Sequence, residues 1–349
     1  SASFGMYAPI AMAGLCGLAY AFGWAIRINI ASLDRLGDQR PLLEERIDDA
    51  SSWVLAFAYF ISVAYYLNLF GAFAVSLTPL DGHLSAEIVT SVVFLIILVV
   101  GWSKGFTALE GLERISVGIK LAIITGLLAG LALYASEEIG TNGAVLAPLT
   151  VTGWSAITLG FGLIVTVQGF ETSRYLGRNY DAPTRIRSMR LAQLLATAIY
   201  MIYILLLAYS FAPVTGELSE TEIIDMMQVV TPLLPILLVV AALSAQFSAA
   251  IADTGGSGGL IHELSAKRLS PRHAYVLLVI VGLGLTWLTD IFQIIAYASR
   301  SFALYYAIQA GLAALITLRR DGKSGWRFPV LASLAALGLA IAVFGTPVE

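Results

Sequence analysis

Apolar residues along this chain run in long blocks separated by short polar connectors. Ten blocks stand out, near 6–32, 52–78, 86–102, 113–135, 153–176, 187–212, 231–254, 273–289, 291–318 and 327–345. Each is close to the length that crosses a bilayer, for which roughly 20 apolar residues suffice. Hydrocarbon offers backbone amides no water to bond, so the blocks are predicted to be helices. The narrowest separation falls at Thr289-Asp290. In the connector after the sixth block, Ser219 and Glu222 have capping-box spacing, and residues 217–227 read as a short amphipathic surface helix. The 34–50 stretch reads as a charged connector.

The polar connectors alternate in charge. Arg35, Arg40 and Arg46 follow the first block, and Lys104 and Arg114 follow the third. Arg174, Arg178, Arg185, Arg187 and Arg190 surround the connector after the fifth, and Lys267, Arg268 and Arg272 follow the seventh. Arg319, Arg320, Lys323 and Arg327 follow the ninth. The connectors between them, 79–86, 136–152, 212–228 and the Asp290 turn, hold neither Lys nor Arg. Basic loops stay in the cytoplasm, so this alternation orients every block and puts Ser1 outside. The chain opens without Met or a basic run and does not read as a signal peptide. One more helix upstream would bring the natural N-terminus inside, so the single transmembrane domain of residues 1–349 is expected to be truncated at its start.

Composition agrees. The 349 residues are 58% hydrophobic and 12% charged, against about 45–50% and about 25% in soluble domains. No basic run suggests nucleic acid, and Cys16 is alone, which excludes an intrachain disulfide and a thiolate metal cluster. No metal site and no cofactor is expected beyond a coupling ion, H⁺ or Na⁺. The partners implied are the lipid bilayer and a small-molecule substrate. Composition does not address oligomeric state.

Among the ionisable residues inside apolar blocks, Lys120, Glu171, Asp253 and Arg300 stand out. Insertion scales put the cost of such a charge at about 2.5–3.5 kcal/mol. Lys120 lies six residues past Arg114, roughly 9 Å deeper; it is either a snorkelling side chain or an ammonium in the transport core. Glu171 follows Gln168-Gly169-Phe170, and a glycine beside a deep acid suggests a broken helix lining a cavity; otherwise Glu171 is an interfacial helix end. Asp253 shares a face with Gln246, while Ser244 and Ser248 lie opposite. It stands either at a cytoplasmic end or in a coupling role. The Gly255-Gly256-Ser257-Gly258-Gly259 run that follows lacks the context of a nucleotide loop and reads as close helix packing. Arg300 is too deep to snorkel and requires a carboxylate, carbonyls or an anionic substrate group; an ion pair or a place on the central path both satisfy it. Tyr59, Ser62 and Tyr66 form a polar stripe on the second block.

These residues carry a resemblance. Gln168-Gly169-Phe170-Glu171, followed by Asp181-Ala182-Pro183-Thr184-Arg185-Ile186-Arg187, resembles the sixth helix and following loop of the amino acid–polyamine–organocation (APC) transporters. That pattern runs Gly-Phe-Glu to Asn-Pro-x-Arg-x-Ile-Pro; here Ala182-Pro183-Thr184-Arg185 stands for Asn-Pro-x-Arg. Residues 111–121, ending in Lys120-Leu121, look like the family's fifth helix, where several members have a Lys. Lys267, Leu269 and Pro271 are similar to the segment after the eighth. The resemblance implies an all-α membrane protein with the inverted-repeat fold of discontinuous first and sixth helices. Block one then matches the family's second helix, and blocks one to four repeat blocks six to nine.

The function implied is secondary active transport, by symport or antiport, of an amino acid or related small organic amine or ion. Gln168, Gly169, Phe170, Glu171, Tyr59, Tyr66 and Arg300 become candidate substrate contacts. Lys120, Ser244, Ser248 and Asp253 become candidates for ion coupling, Lys120 standing in place of a bound cation and the two serines serving as ligands in a Na⁺-coupled variant. A channel or a non-transporting sensor is a separate reading, which saturable uptake with counterflow distinguishes. An intramembrane enzyme is disfavoured: His262-Glu263 lacks a second His, Gly-x-Ser-x-Gly is missing, and His83, His262 and His273 all lie in connectors.

Overall fold

The computed structural model describes residues 3–80, 82–104, 106–175, 180–211, 224, 233–321 and 325–346. At 38, 104, 106–116 and 321 it describes the backbone alone. Among these residues there are ten α-helices: α1 (Ala8–Leu36), α2 (Leu42–Val75), α3 (His83–Lys104), α4 (Phe106–Asn142), α5 (Gly153–Gly162), α6 (Ala182–Ser210), α7 (Leu234–Leu264), α8 (Pro271–Leu288), α9 (Ile291–Asp321) and α10 (Arg327–Phe344). Nine are long and apolar enough to cross a membrane; α5 is the exception. The predicted surface helix at 217–227 lies outside the described residues except for Ile224.

Local chemistry sets several boundaries. The α8–α9 split is real, because Thr289 leaves helical geometry and the Asp290 carboxylate accepts the Gln293 N–H at 2.9 Å. Asp181 caps α6 by accepting the Thr184 N–H at 3.2 Å, and Pro183 sits in the first turn, where its missing N–H costs nothing. The expected connector at 34–50 is corrected: α2 begins at Leu42, ten residues before the apolar block, and Glu44 and Asp48 are buried on its inner side. Charge there turns inward to partners, so hydropathy alone places the start of the helix too late.

Helices α2 and α9 form the centre. Of their most apolar windows 61% and 67% is buried, against 11% for α4. Tyr59, Phe60, Phe302, Tyr305 and Tyr306 are fully enclosed between them. The outer helices turn Leu, Ile and Val outward, as a lipid-facing surface requires. Glycines let α7 close on its neighbours: a Cβ at Gly256 would meet the Tyr59 ring at 3.0 Å, and one at Gly258 would overlap the Tyr275 ring. The 255–259 run is therefore helical and serves packing.

The packing has a twofold pattern. α1 packs on α6, α2 on α7 and α3 on α8. Exchanging helices one to four with six to nine also maps α2–α9 onto α7–α4, α2–α3 onto α7–α8, and α1–α9 onto α6–α4, and all six of those pairs are in contact. The charge alternation makes α1 and α6 run in opposite directions, so the repeat is inverted.

Candidate functional site

The fifth block does not continue as one helix. α5 stops at Gly162, residues Ile164–Val167 form one 3₁₀ turn, and Phe170–Arg174 form another. Between the turns Gln168 is extended and Gly169 has φ +107°, a left-handed conformation that side chains disfavour. The break covers the expected Gln168–Glu171 region and starts earlier, at Gly162. Gly162 is needed there because a Cβ would overlap the Thr346 carbonyl, which lies across the end of α5. The Thr346 N–H in turn donates to the Thr158 carbonyl at 3.1 Å.

A broken helix leaves backbone groups that need partners at membrane depth. Ser299 of α9 supplies two: its hydroxyl donates to the Gly162 carbonyl and accepts the Val165 N–H at 3.3 Å. Glu171 supplies another. Its Oε2 accepts the Gly169 N–H at 3.0 Å and the Tyr306 hydroxyl at 2.9 Å. The Glu171 side chain is fully buried, and its second oxygen, Oε1, has no hydrogen-bond partner among the described residues.

The polar stripe of α2 meets the break. Gln168 Nε2 donates to the Tyr66 hydroxyl at 2.6 Å, and the Ser62 hydroxyl donates to the Asp253 carboxylate of α7. Both carboxylates, Glu171 and Asp253, act electrostatically on the Tyr59 and Tyr66 hydroxyls. Tyr306 stacks between Phe22 and Phe170, with centroids 5.2 and 5.3 Å away. The Tyr59 hydroxyl and Gln168 Oε1 join Glu171 Oε1 as buried polar atoms without a hydrogen-bond partner among the described residues. The site thus has an aromatic wall, two carboxylates and three polar atoms able to accept hydrogen bonds from a ligand.

A model for APC superfamily transporters matches residues 1–345. The chain belongs to the APC superfamily. It is also 37% identical over 355 residues to an uncharacterized protein of Aquifex aeolicus (strain VF5), an alignment covering 99% of this chain and 85% of the relative. The chain is accordingly a multi-pass membrane protein of a transporter family, with a helical transporter fold around the α5 break.

On the cytoplasmic side of the break this APC transporter carries a second polar cluster. Arg174, at the end of the Phe170–Arg174 turn, pairs with Asp48 of α2, as does Arg40 at 3.3 Å. Gln309 of α9 donates to Asp48 Oδ1 at 3.2 Å and to the Ser51 hydroxyl at 2.8 Å. Asn29 of α1 donates to the Gln309 side chain at 2.6 Å, and Arg185 donates to the Arg174 carbonyl at 3.0 Å. The charge pattern marks Arg174 and Arg185 only as part of a basic connector, but both are buried.

The remaining predicted site residues lie elsewhere. Arg300 is half-buried and donates through Nε and Nη2 to the Gly345 carbonyl, at 3.0 and 2.8 Å. Its acceptor is therefore the backbone at the end of α10, and Tyr297, nearly one turn before it, is exposed. Lys120 is half-buried on α4, which packs along α7. On α7 Ser248 is buried and Ser244 half-buried. Ser299 and Tyr306, which complete the break, lie close to Arg300 on α9 and are missed by the sequence reading. A hydroxyl or phenol in an apolar helix carries no mark of its partner 135 or 137 positions away.

Proposed function

We propose that this APC transporter carries a small solute bearing an amine, an amino acid or simple amine, across the inner membrane by secondary active transport. The observation that carries the reading is Glu171. Its carboxylate is fully buried at a helix break, fixed through one oxygen, and has the other without a hydrogen-bond partner among the described residues. A buried carboxylate is costly unless it is neutralised, and an ammonium or a proton can do so. Gln168 Oε1 and the Tyr59 hydroxyl supply further hydrogen-bond acceptors. Tyr66 and Gly169 shape the same wall, Tyr66 by anchoring Gln168 and Gly169 by allowing the turn.

Uptake is driven by an ion gradient. Lys120, by the family resemblance, provides a fixed ammonium in place of a coupling cation, and Asp253 with Ser62 forms a carboxylate–hydroxyl pair across α2 and α7. Ser244 and Ser248 are the ligands in a sodium-coupled version. The test is uptake of labelled amino acids and amines into proteoliposomes under a pH gradient or a sodium gradient, with counterflow. Saturable uptake that Glu171→Gln reduces at least tenfold supports the proposal. Non-saturable flux without counterflow identifies a channel and overturns it.

A further inference from the structure

A cleft of about 510 Å³ opens between the cytoplasmic ends of α1, α6, α9 and α10, away from the α5 break. Six arginines line it: Arg27, Arg35, Arg190, Arg319, Arg320 and Arg327. One carboxylate, Glu44, lies among them and pairs with Arg319 at 2.8 Å. The lining is therefore strongly positive. Positive-inside bias accounts for arginines near a membrane surface, but not for their convergence from four helices on one concavity. The rest of the lining is mostly apolar, with Trp24, Ile28, Leu36 and Ile316, and also includes Ser32, Gln39 and Thr317. Trp24 stacks on Trp326 at 5.7 Å with the rings 9° from parallel, and the Arg327 guanidinium lies 5.9 Å from the Trp326 centroid.

We infer that this cleft binds the phosphodiester headgroup of an anionic membrane phospholipid. Three features specify that ligand. Guanidinium groups match phosphate oxygens in charge and in forked geometry. The cleft lies at headgroup level on the side where anionic lipids draw basic residues. Its apolar side, with the stacked indoles, gives the acyl and glycerol portion a surface that a soluble anion does not use. The bound lipid would bridge α1 to α9 and α10; beside the cleft, Arg319–Glu44 joins α9 to α2, and the indole stack joins α1 to Trp326 at the start of α10.

Native mass spectrometry of the full chain in detergent tests this, with phosphatidylglycerol, phosphatidylcholine or free glycerol phosphate added. Retention of phosphatidylglycerol alone, with a higher melting temperature, is expected. Each exposed arginine near an anionic headgroup is worth about a fivefold change in binding, so Arg35→Gln/Arg190→Gln/Arg327→Gln should lose roughly a hundredfold. Lys267→Gln/Arg268→Gln/Arg272→Gln removes the same charge elsewhere on the cytoplasmic side and should retain the lipid. If the first triple variant does not fold, single Arg35→Gln and Arg190→Gln variants should each show the smaller loss. Equal retention of phosphatidylcholine, equal loss in the Lys267 triple variant, or unchanged binding in every cleft variant overturns the inference. A response to glycerol phosphate equal to that of the lipid identifies a soluble anion as the ligand and also overturns it.

Discussion

The Ser299 hydroxyl donates to the Gly162 carbonyl, where α5 leaves its helix, and accepts the Val165 N–H in the following turn. One side chain from α9 thus satisfies two backbone groups that a continuous α5 would have bonded internally. Each buried polar group left without a partner costs about 1–3 kcal/mol. Ser299→Ala should therefore destabilise the protein by roughly 2–5 kcal/mol, read as a lower melting temperature in detergent. An unchanged melting temperature would mean that the break is held by other contacts.

The Asp48–Arg174 pair is buried, with Arg40 and Gln309 as further donors to the same carboxylate. Removing one partner strands the other charge, which typically costs about 3–5 kcal/mol. Asp48→Asn and Arg174→Gln should each destabilise the protein strongly. The double variant should be less damaged than the sum of the two, because Asp48 and Arg174 no longer strand each other's charge. Additive losses in a double-mutant cycle would show that the two side chains do not depend on each other.

The bundle was legible in the sequence because lipid imposes it. Apolar blocks and the alternation of Arg and Lys set the helices and their direction, and Gly169 beside Glu171 marked the break. Tyr59, Tyr66, Gln168, Glu171 and Asp253 were recognisable as polar residues out of place, and they do come together. The start of α2 was not legible, because Glu44 and Asp48 look like connector residues until Arg319, Arg174 and Gln309 are seen against them. Arg300 was legible as a buried cation in need of acceptors, but a backbone carbonyl at Gly345 has no sequence signature.

Two glycines of α5 separate packing from helix propensity. A Cβ at Gly162 would overlap the Thr346 carbonyl, whereas one at Gly160 would meet nothing within 4 Å. Gly162→Ala must displace the 345–346 segment, and such overpacking costs typically about 1–3 kcal/mol. Gly160→Ala should be neutral or stabilising by about 0.5–1 kcal/mol, the usual gain for Ala over Gly inside a helix. Melting temperatures of the two variants decide the matter, and equal effects would show that Thr346 does not constrain the end of α5.

Arg300 should prove to be part of the frame. Its guanidinium bonds the Gly345 carbonyl with two N–H groups, just past the last turn of α10. The next residue, Thr346, covers Gly162 and bonds Thr158. Arg300 therefore fixes the end of α10, which in turn fixes the outer half of the broken helix. Arg300→Lys keeps the charge but loses the forked pair of donors. If the fork serves Gly345, the variant should yield less folded protein and a lower melting temperature, with the apparent KM of the folded fraction within about twofold of the parent. If the fork instead binds a substrate carboxylate, KM should rise by about tenfold or more, as losing a charge-assisted hydrogen bond of about 1.5–3 kcal/mol requires. Arg300→Gln sharpens the contrast, because it removes the charge while keeping an amide donor for Gly345. It should fold at least as well as Arg300→Lys if the acceptor is the backbone, and it should transport worst if the acceptor is an anion.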